Sequence, residues 1–194
     1  MTVVDDATVL LRSRERPEEF AVLFDRHAPF IHRYLARRLG DQHADDLVAE
    51  TFLTAFRRRD RFKPDHRDAR PWLYGIATNL VAQHRRDEVR ELRLHRAVTP
   101  ETSAGCHAEQ VATDVTAAAL RETLTAALAG LADGDRDVFL LIVQEELTYE
   151  QVAAALEIPV GTVRSRLHRA RGQLRAALGG SNPLHLVDKE AHHG

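Results

Sequence analysis

A single cysteine, Cys106, excludes an internal disulfide framework and suits a reducing, cytoplasmic setting. Aromatics supply only 6% of the 194 residues, while alanine, leucine and arginine abound, a balance that favours helix over strand. No strongly apolar run exceeds VFLLIV (138–143), far short of the about 20 residues that cross a bilayer, so no membrane insertion is expected. The opening MTVVDDATVL has acids where a secretory leader needs basic residues, so no leader is expected. Also missing are a P-loop, an H-E-x-x-H pair, a G-x-S-x-G elbow and a glycine-rich nucleotide fingerprint. Neither an enzyme, a small-molecule substrate nor a cofactor is expected. Eleven histidines invite a metal, and His84, His95 and Cys106-His107 could be assembled into a site. Their spacing matches no zinc pattern, and no metal is expected. His192 and His193 read as solvated.

What is present is segregated charge. The formal net charge is −2, yet residues 56–72 carry seven Lys/Arg against three acids, and 73–96 carry five against three. Residues 97–160 reverse this, with two arginines against eleven acids, and 161–178 hold five arginines and no acid. Local blocks, not the total, point to partners.

Helical periodicity runs through Phe20, Leu23, Phe24, His27, Ile31, Tyr34 and Leu35. Gly40-Asp41 closes that helix and opens another, with Asp41 as the expected N-cap and Ala44, Leu47, Val48, Thr51, Phe52 and Ala55 as its apolar face. Pro64 marks a loop within 57–70, and a third helix starts near Pro71 with Trp72, Leu73, Ile76, Ala77, Leu80 and Val81 on one side. A first domain is expected at 5–96, a flexible linker at 97–116, a second domain at 117–178 and a frayed tail at 179–194. In the second domain Leu120, Leu124, Leu128 and Leu131 form one stripe, and Val138, Leu141 and Ile142 another. The fold class is all-α, two small helical domains, the second with a helix-turn-helix.

That motif rests on TYEQVAAALEIPVGTVRSRLHRARGQLR (148–175). Thr148 and Gln151 form a capping-box pattern; Val152, Ala153 and Leu156 give an apolar face, with small Ala153 where a second helix could cross closely. Pro159 interrupts the period, and a new helix begins at about Val160–Thr162. Val163, Leu167, Ala170 and Leu174 line its inner side; Ser165, His168, Arg169 and Gly172 face outward, flanked by Arg164, Arg166, Arg171 and Arg175. Such a helix can reach base edges with its early arginines and phosphates with its later ones. A solvated or internally salt-bridged surface is the plain alternative. Glu157 occupies the turn position that usually wants glycine.

A second basic block, FRRRDRFKPDHRDARPWLYGIATN (56–79), interleaves cations with Phe56, Phe62, Trp72 and Tyr74, a composition suited to single-stranded nucleic acid. Phe56 and Trp72 also fit a core stripe. Phe62, in the loop, is the better candidate for stacking on a base, and the Asn79 amide for reading a base edge.

These segments together resemble the extracytoplasmic-function (ECF) sigma factors of bacterial RNA polymerase. DQHADDLVAETFLTAF (41–56) is similar to the polymerase-binding part of region 2, RPWLYGIATNLVAQHRR (70–86) to the part that reads and melts the −10 element, and 131–175 to region 4, which reads the −35 element. The resemblance implies polymerase contacts from Asp45, Asp46, Leu47, Glu50 and Phe52. It implies −10 contacts in the segment holding Trp72, Asn79, Arg85 and Arg86, to which Phe62 is added from composition. Thr162, Arg164, Ser165, Arg166, His168, Arg169, Arg171 and Arg175 fall on the −35 helix. Ala49 stands where the family commonly has glutamine, and LADGDR (131–136) lacks the usual prolines. Core polymerase, promoter DNA and an anti-sigma factor are the implied partners. The rival reading is a helix-turn-helix regulator that is no polymerase subunit, and the acidic helix HADDLVAETF (43–52) discriminates against it.

Overall fold

The computed structural model describes residues 4–63, 67–98 and 117–179, and all their regular structure is helical. In chain order the α-helices are α1 (Asp6–Glu15), α2 (Ala21–Leu39), α3 (Asp41–Arg58), α4 (Arg70–Val98), α5 (Ala117–Ala129), α6 (Asp133–Val143), α7 (Tyr149–Leu156) and α8 (Val160–Ala177), with single 3-10 turns at Pro17–Phe20 and Arg59–Arg61. The expected linker and tail fall almost wholly outside the described residues, as do Cys106, His107, His192 and His193. By contact the described residues form two compact units, one of those up to His84 together with Leu140–Arg164, the other of those between Arg85 and Phe139 together with those from Ser165 on.

In the first unit the expected stripes are the core. Leu23, Ile31 and Leu35 of α2, Ala44, Leu47, Val48 and Phe52 of α3, and Leu73, Ile76, Ala77 and Val81 of α4 are buried. Phe24 departs from its stripe: it is largely exposed and meets Phe52 only edge-on, with ring centroids 4.9 Å apart. The α2–α3 corner depends on Gly40, whose φ of +83° is strained for a residue with a Cβ, and whose N–H donates to the Ala36 carbonyl at 2.7 Å. This corrects the role expected of Asp41. It is the first residue of α3, its side chain caps nothing, and it serves as an acid in the first turn.

Helix α1 has no counterpart in the sequence periodicity, because one of its buried anchors is an acid. The Asp5 side chain caps it by accepting from the Thr8 N–H at 2.8 Å. Asp6 accepts from His27 Nε2 at 2.8 Å, from the Ala69 N–H at 3.0 Å and from Arg26. Burial pushes its carboxyl upward, but these donors outweigh burial and hold it below the usual carboxylate value. The bond to Ala69 ties α1 to the start of α4.

The helix-turn-helix forms as the sequence requires. The Gln151 N–H donates to Thr148 Oγ1 at 3.2 Å while the Thr148 N–H donates to Gln151 Oε1 at 2.8 Å, a complete capping box. Glu157 follows α7 in the left-handed region, φ 52° and ψ 42°, and the Ile158 N–H closes the turn on the Ala153 carbonyl at 3.0 Å. Glu157→Gly is therefore expected to raise stability by about 1 kcal/mol through relief of the Cβ strain, less the entropy glycine adds to the unfolded chain. Thermal unfolding of the two proteins reads this directly; an unchanged or lower midpoint would mean that the turn is unstrained.

Candidate nucleic-acid interface and docking helix

Helix α3 turns one face inward and another outward. Asp46, Ala49, Glu50 and Leu53, spaced at three and four residues, are all exposed, and Asp45 beside them has 89% of its side chain open. Leu47 and Phe52, also expected as contacts, lie on the opposite face and are buried. Their side chains hold the helix against the core. Leu53, 47% exposed, is the apolar member of the outward face and was missed. Its position seven residues after Asp46 is the signal that could have found it.

On α4 a seven-residue spacing puts Trp72 and Asn79 on the same face, about 10 Å apart along the axis. Asn79 is exposed and Trp72 half-buried. The same spacing carried along the helix reaches exposed Arg86. Arg85 falls on another side of the helix and pairs with Asp133, both being residues of the second unit. Phe62 is not the open loop ring expected: it is 5% exposed, its centroid 5.3 Å from that of Trp72. The pair lines a cavity of about 590 Å³ in the first unit, as do Lys63 and Arg67. Of this pair Trp72 is the more exposed ring.

Helix α8 buries Val163, Leu167, Ala170 and Leu174 and exposes Arg164, Ser165, His168, Arg169, Gly172 and Arg175; Thr162, Arg166 and Arg171 are half-buried at its sides. The five arginines are not equivalent. Arg164 stands over the Tyr149 ring, 5.9 Å from its centroid. Arg166 packs beside Gly134, where a Cβ would lie 2.6 Å from its Nη1. Arg169 forms a two-pronged pair with buried Asp135, Nε to Oδ2 at 3.0 Å and Nη2 to Oδ1 at 2.9 Å. That bond, with the attraction of the carboxylate, raises the Arg169 pKa, so the charge persists while its donors point at Asp135. In this arrangement Arg169 braces α8 on α6, and a DNA contact would use only the donors left over.

Comparison with known proteins finds two family matches in the chain. Residues 23–91 match the family described as Sigma-70 region 2, and residues 121–174 match Sigma-70, region 4. The ECF RNA polymerase sigma factor SigL of Mycobacterium tuberculosis is 34% identical over 157 residues, which cover 80% of this chain and 86% of that protein. SigE of Mycolicibacterium smegmatis is 36% identical over 156 residues, 79% of this chain and 59% of that one. Among solved structures, the sigma factor RpoE of Bartonella quintana, determined in complex with the anti-sigma factor NepR, superposes with a TM-score of 0.66 at 25% identity, covering 84% of this chain and 98% of that one. The chain belongs to the ECF sigma factors, the promoter-specificity subunits of RNA polymerase.

Proposed function

We propose that the chain binds core RNA polymerase through the outward face of α3, captures the −10 strand on α4 and reads the −35 duplex with α8. Region 2 then occupies 5–96 and region 4 occupies 117–178, with 97–116 linking them and 179–194 as a tail. Asp45, Asp46, Glu50 and Leu53 form the polymerase contact, where exposed carboxylates ring one apolar side chain. Trp72 and Asn79 receive unstacked bases, and Arg86 meets the backbone beyond them. Arg164, Ser165 and His168 face base edges; Arg171 and Arg175 meet phosphates.

No bond is made or broken in this scheme, so the protein acts as a binding factor, not an enzyme. Opening a few base pairs costs several kcal/mol, offset by stacking and backbone contacts of the displaced strand. It works in the cytoplasm, where polymerase and promoter are, and no helix among the described residues is long and apolar enough to cross a membrane. An anti-sigma factor, the kind of partner held by the Bartonella quintana relative, is the expected inhibitor.

The observation that carries this reading is the joint presence of a polymerase-type acidic helix and a basic helix-turn-helix in one chain. Gel filtration with bacterial core polymerase tests it. Co-elution of the full chain with core is the expected result, and failure to co-elute would leave only a DNA-binding regulator.

A further inference from the structure

Glu145, in the turn between α6 and α7, is buried, its side chain 2% exposed. Its carboxylate accepts from Arg33 of α2, Nη2 at 2.8 Å and Nε at 3.3 Å, and from the Tyr74 hydroxyl of α4 at 2.6 Å. Arg33 and Tyr74 are 112 and 71 residues away, outside the helix-turn-helix altogether. Burial and the neighbouring carboxylate both push the Tyr74 phenol upward, so it stays a donor. Two further contacts follow. Gln151 Nε2 donates to Asp68 Oδ2 at 3.2 Å, and Gly75 lies so close to α7 that a Cβ there would stand 2.6 Å from the Ala155 carbonyl oxygen. Ala155 is thus the residue of α7 that α4 approaches most closely at Gly75. Glu150, Gln151 and Ala154 wall the cavity beside Trp72.

We infer that residues 145–155 are a lid within the chain: the first helix of the helix-turn-helix docks on the Trp72 face of α4, and Glu145 is the latch. All of these contacts lie within the first compact unit. A base cannot reach the wall of the cavity that α7 occupies, and Glu150 adds a carboxylate where a DNA strand would pass. Strand capture by α4 therefore requires α7 to leave. That clause rests on the proposed role of Trp72; the docking does not.

Trp72 is the chain's only tryptophan, so its quenching by acrylamide in the full, unbound protein reports the lid. Glu145→Gln removes the latch charge, and loss of a charged hydrogen-bond pair should shift the closed-to-open ratio by at least about tenfold. Gly75→Ala attacks the other face of the contact while favouring the α4 helix, so its effect is not unfolding of that helix. Both are expected to increase quenching with far-UV circular dichroism unchanged, and Arg33→Glu combined with Glu145→Arg should restore part of the protection. Parent-like quenching in both single variants, with helicity intact, overturns the lid without touching polymerase binding. A short single-stranded DNA oligonucleotide should bind faster to the opened variants than to the parent. If they open and bind it no faster, the lid does not cover a strand-binding face.

Discussion

Replacing Asp46 and Glu50 together with alanine is expected to weaken binding to core polymerase by about 2–4 kcal/mol, a loss of roughly thirtyfold to a thousandfold. Both carboxylates are exposed on α3, and neither supports the core, which is built from Leu47, Val48 and Phe52 on the other face. The thermal midpoint should therefore hold. Leu53→Ala is expected to add to the loss, since an exposed leucine flanked by acids is the feature of this face suited to desolvation on docking. Equilibrium binding of labelled protein to core, at two salt concentrations, separates the contributions: the carboxylates should matter less at high salt, Leu53 equally at both. A double variant that binds like the parent would place the polymerase contact elsewhere.

The second large effect concerns α8, where substitutions should divide into three kinds. Arg164→Ala is expected to cost about 1–3 kcal/mol on the preferred −35 sequence and to relax preference at one or two base pairs, as for an arginine that reads base edges. Arg175→Ala, three turns further on, should weaken all sequences alike and flatten the salt dependence by about one unit of slope. Arg169→Ala should lower the thermal midpoint, because it strands the buried Asp135 carboxylate, with a smaller change in promoter choice. Thermal unfolding beside promoter competition distinguishes these outcomes. An Arg164→Ala protein that unfolds earlier yet keeps its −35 preference would make the whole basic face a structural salt-bridge surface.

Local pattern carried much of this architecture into view. The 3.6-residue spacing identified the inner faces of α2, α3 and α8, and Thr148 with Gln151 fixed the start of α7 because a capping box is written in four consecutive residues. Glu157 was legible as the turn residue even though it is not glycine, since the apolar period stops before it and restarts after Pro159. What escaped was whatever depends on partners far along the chain. Asp6 looks like a surface acid until His27 and Ala69 are brought to it. Phe62 looks like an open loop ring until Trp72 covers it. Arg169 looks like another DNA-facing arginine until Asp135, 34 residues earlier, takes its donors. In α3 the family resemblance grouped Leu47 and Phe52 with the contact acids, whereas helical geometry puts them on the buried side and brings Leu53 outward.

The most direct test of a polymerase subunit that chooses promoters is run-off transcription by purified core, with and without this chain, on a library randomised across the promoter region. The expected result is transcription that depends on the chain and enriches two sequence elements at a fixed separation, with the upstream element lost selectively in Arg164→Ala. Transcripts no different from those of core alone, or enrichment of a single palindromic site, would contradict it.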